Sequence, residues 1–171
     1  MMLPNRIFAL LALLAGLSSA LALALTAAPE RDEQSASLHV KTLVLGSGCF
    51  WGAEKGYEAL PGVIDAVSGY ADGRNIEPSY EAITRPEHRL DPDNYAETVR
   101  VRYNAEMLST QALLRHFFEH HDPTQKNRQG NDIGTQYRSV ILYSDEEQRA
   151  TALQTRDEFQ ALLKAAGYGD I

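Results

Sequence analysis

The residue best suited to covalent chemistry is Cys49, the single cysteine of the chain. It lies between an apolar run at residues 43–45 and the start of a helical pattern at Phe50. Free N–H groups and the positive dipole end at a helix start favour the thiolate, which is the nucleophilic form of cysteine. The alternative is a small buried hydrophobic residue, which is a common fate of an isolated cysteine. The position alone leaves both interpretations open.

A single cysteine also limits what the chain can do by itself. It excludes an intrachain disulfide, a Cys-x-x-Cys redox pair and a cysteine-rich zinc cluster. The 171 residues include 16 Lys and Arg against 23 Asp and Glu, which gives a net charge of −7. Because nucleic-acid binding starts from a concentrated basic face, we expect no nucleic-acid partner. The length favours one compact acidic domain whose thiol chemistry depends on one sulfur atom.

Glu97 is the second candidate for chemistry. Residues 97–103 alternate between apolar and polar side chains, which predicts a strand with one buried face. Glu97 is in register with Val99, Val101 and Tyr103, so it should point toward the apolar side. Desolvation there would favour the protonated carboxyl, the form that a general acid needs. The alternative is an ordinary carboxylate in water at the end of a strand.

A third pattern is compatible with a metal site. His116, Glu119 and His120 have the His-x-x-Glu-His spacing of some zinc peptidases, with two histidines as ligands and the glutamate as base. Few residues follow in which a third ligand could lie. The alternative is a solvated histidine pair beside the apolar stripe of Leu113 and Phe117. We expect no metal here, and a zinc peptidase is kept as an alternative function.

These candidates need elements that position them. Apolar runs and alternation predict strands at residues 39–47, 63–70, 97–103 and 139–143. Helical spacing predicts one helix from Phe50 to a Pro-Gly stop and another after Ser109. A capping box at residues 144–147 begins a last helix that ends near Gly167. Residues 71–95 and 122–136 are polar loops, and a loop of the first one's length is usually functional.

The predicted element order is strand-helix-strand-strand-helix-strand-helix. It indicates the α+β class, as a ferredoxin-like split βαβ sheet with helices packed on one face and an extra helix at the end.

The N-terminus is predicted to be separate from this fold. Residues 1–28 have one basic residue, an apolar core and small residues at the end, which is typical of an export signal. An uncleaved anchor through residues 7–25 is the alternative. Residues 29–38 are predicted to be a linker, and residues 39–171 the folded domain. We therefore expect an exported protein, periplasmic or secreted, or one anchored in the membrane.

Residues 48–52 (Gly-Cys-Phe-Trp-Gly) closely resemble the signature of the A-type peptide methionine sulfoxide reductases. Further resemblance follows in the same order at residues 60–63, 68–70, 78–80, 96–97, 121–125 and 127–139. It covers nearly everything from residue 41 to the end of the chain. Several blocks in one order form a much more specific signal than any single motif.

The resemblance implies a reaction for the two candidates above. Cys49 matches the nucleophile whose thiolate attacks the sulfoxide sulfur, and Glu97 matches the acid that protonates the leaving oxygen. The products are methionine and a sulfenic acid on the enzyme. The family also implies the S epimer of methionine sulfoxide, free or in proteins, and a role in the repair of oxidised proteins.

The resemblance further implies how the substrate is held. Tyr80 and Tyr137 match tyrosines that hydrogen-bond the sulfoxide oxygen. Phe50 and Trp51 match the aromatic pair that holds the methyl group, and Asp132 matches a residue that lines the pocket. By themselves, the two tyrosines would be expected to be surface or packing residues of the polar loops.

Two departures from the family pattern concern the catalytic cycle. Tyr95 stands where the family usually has His, which could alter pocket polarity or substrate preference. The sequence given ends at Ile171 without the further cysteines and the longer tail that many members carry, so a truncated record is one interpretation. The other is an enzyme without a bound cofactor whose Cys49 is reduced by an external thiol such as thioredoxin. We expect a monomer.

Two rival functions use the same residues. The protein could bind oxidised methionine peptides without turnover, or Cys49 could be the centre of a thiol peroxidase. Consumption of a thiol reductant that depends on methionine sulfoxide would exclude the first, and competition with peroxide would test the second. Glu97 favours the sulfoxide, because a peroxidase needs no acid at that position.

Overall fold

A computed structural model describes residues 39–74 and 76–171. Its centre is a four-stranded antiparallel sheet with the spatial order β2-β3-β1-β6. The strands are β1 (Val40–Ser47), β2 (Val63–Ala71), β3 (Ala96–Asn104) and β6 (Ser139–Leu142). The two short strands β4 (Arg128–Gln129) and β5 (Asp132–Ile133) form a separate antiparallel pair.

Four helices and two single turns connect these strands. The helices are α1 (Phe50–Glu58), α2 (Tyr80–Ile83), α3 (Thr110–Glu119) and α4 (Glu146–Ala165). Turns of 3₁₀ helix lie at Pro86–His88 and Thr135–Tyr137. The main order of strands and helices is the predicted one, and the fold is a mixed α/β arrangement.

One hydrophobic core lies between the sheet and the helices. The fully buried side chains Leu43 and Leu45 of β1 and Val99 and Val101 of β3 form its sheet side. Side chains from α1, α3 and α4 pack in the same cluster, among them Phe50, Tyr57, Leu113, Phe117 and Ala152. This core holds the start of α1 against β3, where the two candidate chemical residues lie.

The elements differ from the sequence expectations mainly at their ends and in the loops. The residue that caps α4 is Asp145, whose carboxylate accepts from the Gln148 N–H at 2.7 Å, while the Gln148 side chain accepts from the Ser144 N–H at 2.8 Å. The capping box is therefore one residue later than predicted, because aspartate and glutamine fill its two roles. The polar loops also contain α2, β4 and β5, which are too short to show a sequence period.

The predicted export signal, the anchor through residues 7–25 and the linker at residues 29–38 lie outside the described residues. Within the described part of the chain, no helix is both long enough and apolar enough to cross a membrane.

Candidate active site

Cys49 is the N-cap residue of α1 and is exposed. Gly48 before it has φ +94, a left-handed conformation that glycine adopts without strain, and this turn leads the chain from β1 into α1. A Cβ at this position would lie 2.6 Å from the Cβ of Gln129, so the space also requires glycine. The interpretation of Cys49 as a buried hydrophobic residue is wrong, and the exposed sulfur is available to a reactant.

Glu97 lies beside the start of the same helix. Its side chain is 1% exposed, and its Oε2 accepts a hydrogen bond from the Phe50 N–H at 3.1 Å. Burial raises the pKa of this carboxyl, the hydrogen bond from Phe50 opposes the rise, and the charge of Asp132 adds to it. The predicted orientation toward the apolar side is confirmed, whereas the strand-end carboxylate in water is not observed.

An aromatic platform lies on the solvent side of this pair. Trp51 is 73% exposed and stacks with Tyr80, with 6.4 Å between the ring centroids and an interplanar angle of 24°. Phe50 is buried, and its ring lies 5.5 Å from that of Tyr70. Phe50 thus contributes its ring to the core, whereas Trp51 contributes its ring to the surface.

Tyr137 and Asp132 come to the site from the other polar loop. Burial raises the pKa of the Tyr137 hydroxyl, and the negative charges of Glu97 and Asp132 raise it further. Tyr80 also interacts with the Tyr137 hydroxyl. The structure therefore brings together Glu97, Asp132, Tyr80 and Tyr137, although they belong to separate segments of the sequence.

Tyr70 is a site residue to which sequence reasoning gave no role. It pairs with Glu97 in the register of β2 and β3, and burial together with the Glu97 charge raises the pKa of its hydroxyl. The signal was present, since Tyr70 lies in one of the blocks that resemble the family. Its ring packs against that of Phe50, the residue that follows Cys49.

Arg138 is the second residue that sequence reasoning missed. Its guanidinium donates to the backbone oxygens of Asn94 at 3.1 Å, Thr135 at 2.8 Å and Asp72 at 2.6 Å. It also pairs with the Asp72 carboxylate at 2.9 Å. One side chain thus connects the segment that carries Tyr137 to both ends of the loop that carries Tyr80.

A family model described as Peptide methionine sulfoxide reductase matches residues 41–166. The chain belongs to this family. The peptide methionine sulfoxide reductase MsrA of Salinispora arenicola is 46% identical over 128 residues, covering 75% of this chain and 56% of the relative. MsrA of Xanthomonas campestris is 45% identical over 126 residues, covering 74% of this chain and 56% of the relative. The chain thus spans little more than half the length of these curated relatives.

Solved structures of this family are similar to this chain in fold. Methionine sulfoxide reductase A of Corynebacterium diphtheriae superposes with a TM-score of 0.69 at 36% identity, over 80% of this chain and 63% of that one. Reduced Mxr1 of Saccharomyces cerevisiae superposes with a TM-score of 0.64 at 32% identity, over 72% of this chain and 70% of that one. A further structure is Mxr1 in complex with Trx2, with a TM-score of 0.51 at 25% identity and coverage of 72% of this chain and 68% of that one.

Two features noted in the sequence remain, the His116–His120 pair and Tyr95. His116 and His120 stack with 3.7 Å between their ring centroids, and the Nδ1 of His120 is engaged by the His116 backbone oxygen at 2.8 Å. Among the described residues, no group of three or more His, Cys, Asp and Glu side chains is arranged to hold a metal. Tyr95, in place of the usual family His, packs its ring so closely on Gly73 that a Cβ there would lie 2.5 Å away.

Proposed function

We propose that the protein reduces the S epimer of methionine sulfoxide, free or in proteins, to methionine and thereby repairs oxidised proteins. The observation that carries this proposal is the pairing of an exposed thiol at the start of α1 with a buried carboxyl. Cys49 occupies the N-cap position of the helix, and Glu97 accepts from the N–H of the next residue, Phe50, at 3.1 Å. Membership of the peptide methionine sulfoxide reductase family supports the same reaction.

The proposed chemical step is an attack of the Cys49 thiolate on the sulfoxide sulfur. A sulfur–sulfur interaction develops while the sulfur–oxygen bond of the substrate is lost, and the oxygen ends on Cys49 as a sulfenic acid. Methionine leaves, reduced by two electrons, and the Cys49 sulfur is oxidised by two electrons. Glu97 supplies the proton that the oxygen needs, because burial keeps its carboxyl protonated to higher pH than usual.

Hydrogen-bond donors would stabilise the charge that develops on the oxygen. Tyrosine has an ordinary pKa of 10.0, and burial with the charges of Glu97 and Asp132 raises that of Tyr137 further, so its hydroxyl is a hydrogen-bond donor at physiological pH. We assign the same role to Tyr80. Trp51 and Phe50 would hold the methyl group, and Asp132 would line the pocket.

The regeneration of Cys49 requires two electrons from outside the site. We propose that an external thiol reductant such as thioredoxin supplies them, without a bound cofactor. The structure of Mxr1 in complex with Trx2 supports this type of partner for a relative. Oxidised proteins, oxidised peptides and free methionine sulfoxide are the proposed substrates, and the protein is proposed to act as a monomer.

We also propose a domain assignment and a location. The observed strand order β2-β3-β1-β6, with α1 and α3 as connections, supports the ferredoxin-like split βαβ description with helices on one face. Residues 39–171 would form the catalytic domain, after an export signal at residues 1–28 and a linker at residues 29–38. The protein would act outside the cytoplasm.

The test is turnover with separated epimers of a methionine sulfoxide peptide and dithiothreitol as reductant. We expect methionine from the S epimer alone, and no product with Cys49→Ser. Binding of the oxidised peptide without turnover, or consumption of thiol that depends on peroxide instead of sulfoxide, would contradict the proposal.

A further inference from the structure

A second opening reaches Cys49, separate from the site described above. A cavity of about 280 Å³ has Cys49 in its wall together with Gly52, Ala53 and Gly56 of α1. None of the other residues assigned to the sulfoxide site lines it. Cys49 thus belongs both to the proposed sulfoxide site and to the wall of this cavity.

The cavity is also lined by the histidine pair at the C-terminal end of α3, His116 and His120. The half-buried His116 packs edge-on against Tyr57 with ring centroids 5.5 Å apart, and His120 stacks on His116 at 3.7 Å. The Nδ1 of His120 lies 2.8 Å from the His116 backbone oxygen. Since a carbonyl oxygen can only accept, this nitrogen carries the hydrogen and the Nε2 of the neutral ring keeps a free lone pair.

The surroundings of His116 favour its uncharged ring. Burial lowers the pKa of His116, the neighbouring His120 lowers it further, and Glu119 opposes the change. Two stacked rings cannot both be charged without repulsion, so at least one neutral imidazole is present near neutral pH. A neutral imidazole can accept a proton from a thiol.

The proposed reaction leaves a sulfenic acid that a second reactant must reach. A thiol displaces the oxygen of a sulfenic acid by attack on sulfur from the side opposite to that oxygen, and its rate rises with the thiolate fraction. Glu97 and the tyrosines occupy the side on which the oxygen is held. An attacking thiol therefore needs a separate approach and a base beside it.

We propose that this cavity, named here the thiol cavity, admits the reducing thiol to the Cys49 sulfenic acid, with the His116–His120 pair as the base that takes the thiol proton. This inference rests on the proposed function. In the step, the thiol sulfur forms a disulfide with Cys49, the sulfur–oxygen bond breaks, and the oxygen leaves as water with its own proton and the one taken from the thiol. A second thiol then cleaves the mixed disulfide, which returns Cys49 and releases the oxidised reductant.

The thiol can belong to a small molecule or to an exposed cysteine of a redox protein. The two sources share the same chemistry, and the arms of the experiment separate them. Dithiothreitol represents the small thiol, and reduced thioredoxin represents the protein.

The two half-reactions are independent in a ping-pong cycle, so each can be measured by its own kcat/KM. We expect the double variant His116→Gln/His120→Gln to lose roughly 100-fold in kcat/KM for dithiothreitol, the lower end of what a positioned base contributes. The kcat/KM for methionine sulfoxide should not change. His39→Gln is the matched control, because His39 is an exposed histidine at the other end of β1 from Ser47 and should leave both values unchanged.

A steric variant tests the approach independently of the base. A Cβ at Gly56 would lie 3.8 Å from the Nε2 of His116, which is ordinary contact, so Gly56→Leu can place its side chain in the thiol cavity. Methionine formed in a single turnover without reductant should equal that of the unchanged protein, while reduction by thiols slows. Slower reduction of Cys49 by both reductants, or by dithiothreitol alone, supports the thiol cavity.

Different results would overturn the proposed function and the thiol cavity. If the unchanged protein forms no methionine in a single turnover, the proposed function is wrong. If all proteins form methionine normally, and the double variant and Gly56→Leu are reduced by both thiols as fast as the unchanged protein, the thiol cavity is overturned and the proposed function stands.

Discussion

The Glu97 carboxyl is subject to two opposing influences. Burial disfavours its charge, whereas the N–H of Phe50 at the start of α1 favours it. Burial is the larger influence, so the pKa is raised and the proton is retained to higher pH. A general acid needs this balance: it must hold a proton when substrate binds and release it when charge develops on the oxygen.

Glu97→Gln tests the general acid directly. Glutamine keeps the size of the side chain and can still accept from Phe50, but it cannot donate an acidic proton. We expect the fold to be kept and turnover with methionine sulfoxide to fall by roughly 100-fold or more. Steady-state kinetics measure the loss, and circular dichroism checks the fold. Glu58→Gln, an exposed glutamate at the end of α1, is the control, and unchanged turnover of Glu97→Gln would disprove the assignment.

The same substitution changes the pH dependence of stability. Because the pKa of Glu97 is raised in the folded protein from its ordinary value of 4.5, its favourable contribution is complete below that value and is lost as pH rises through the raised pKa. Glutamine has no such dependence. We expect the melting temperature of Glu97→Gln relative to the unchanged protein to be higher at pH 7.5 than at pH 4. If the difference in melting temperature between the two proteins does not depend on pH, or changes with pH in the opposite direction, the pKa of Glu97 is not raised.

The positions of Cys49 and Glu97 followed from local sequence, but the rest of the site did not. Strand alternation fixed the side to which Glu97 points, and the glycines with the helical pattern placed Cys49 at a helix start. Only the family resemblance assigned Tyr80, Tyr137 and Asp132. Their proximity depends on how two polar loops fold over the sheet, and no period in the sequence encodes that.

The two loops are joined by a contact between distant parts of the sequence. Arg138 and Asp72 are 66 positions apart, and their pairing arises from the tertiary structure alone. Asn94 holds the loop internally, since its buried amide donates to the backbone oxygens of Ile83 at 2.9 Å and His88 at 3.1 Å. The strands and helices whose residues follow a regular period were predictable from the sequence. The short α2 and the β4–β5 pair were not, because they are too short to show a period.

Arg138→Lys tests whether this connection positions the site. Lysine keeps the charge but has no planar group that donates hydrogen bonds to several oxygens at once, so the two loops should separate. We expect KM for methionine sulfoxide to rise by roughly tenfold, the cost of about one lost hydrogen bond, with a small loss of thermal stability. Arg156→Lys is the matched control, because Arg156 pairs with neighbouring Asp157 on the exposed side of α4. Equal kinetics of the two variants would show that Arg138 does not position the site.

At the scale of the whole molecule, the described fold and the proposed chemistry lie within residues 39–171, and we propose a separate role for the N-terminal segment. If residues 1–28 are an export signal, the mature protein should begin close to Pro29. N-terminal sequencing and the intact mass of protein recovered from outside the cytoplasm test this. A full-length chain found in the membrane fraction would favour the anchor through residues 7–25 instead.

In the proposed reaction, Cys49 takes the oxygen from methionine sulfoxide and becomes a sulfenic acid. The most direct measurement is a single turnover without any thiol, with methionine counted by chromatography and Cys49 trapped by dimedone for mass spectrometry. We predict about one methionine per chain, since a single thiol reduces one sulfoxide, a dimedone adduct on Cys49, and neither product with Cys49→Ser. No methionine from the unchanged protein, or methionine formed equally by Cys49→Ser, would contradict the claim.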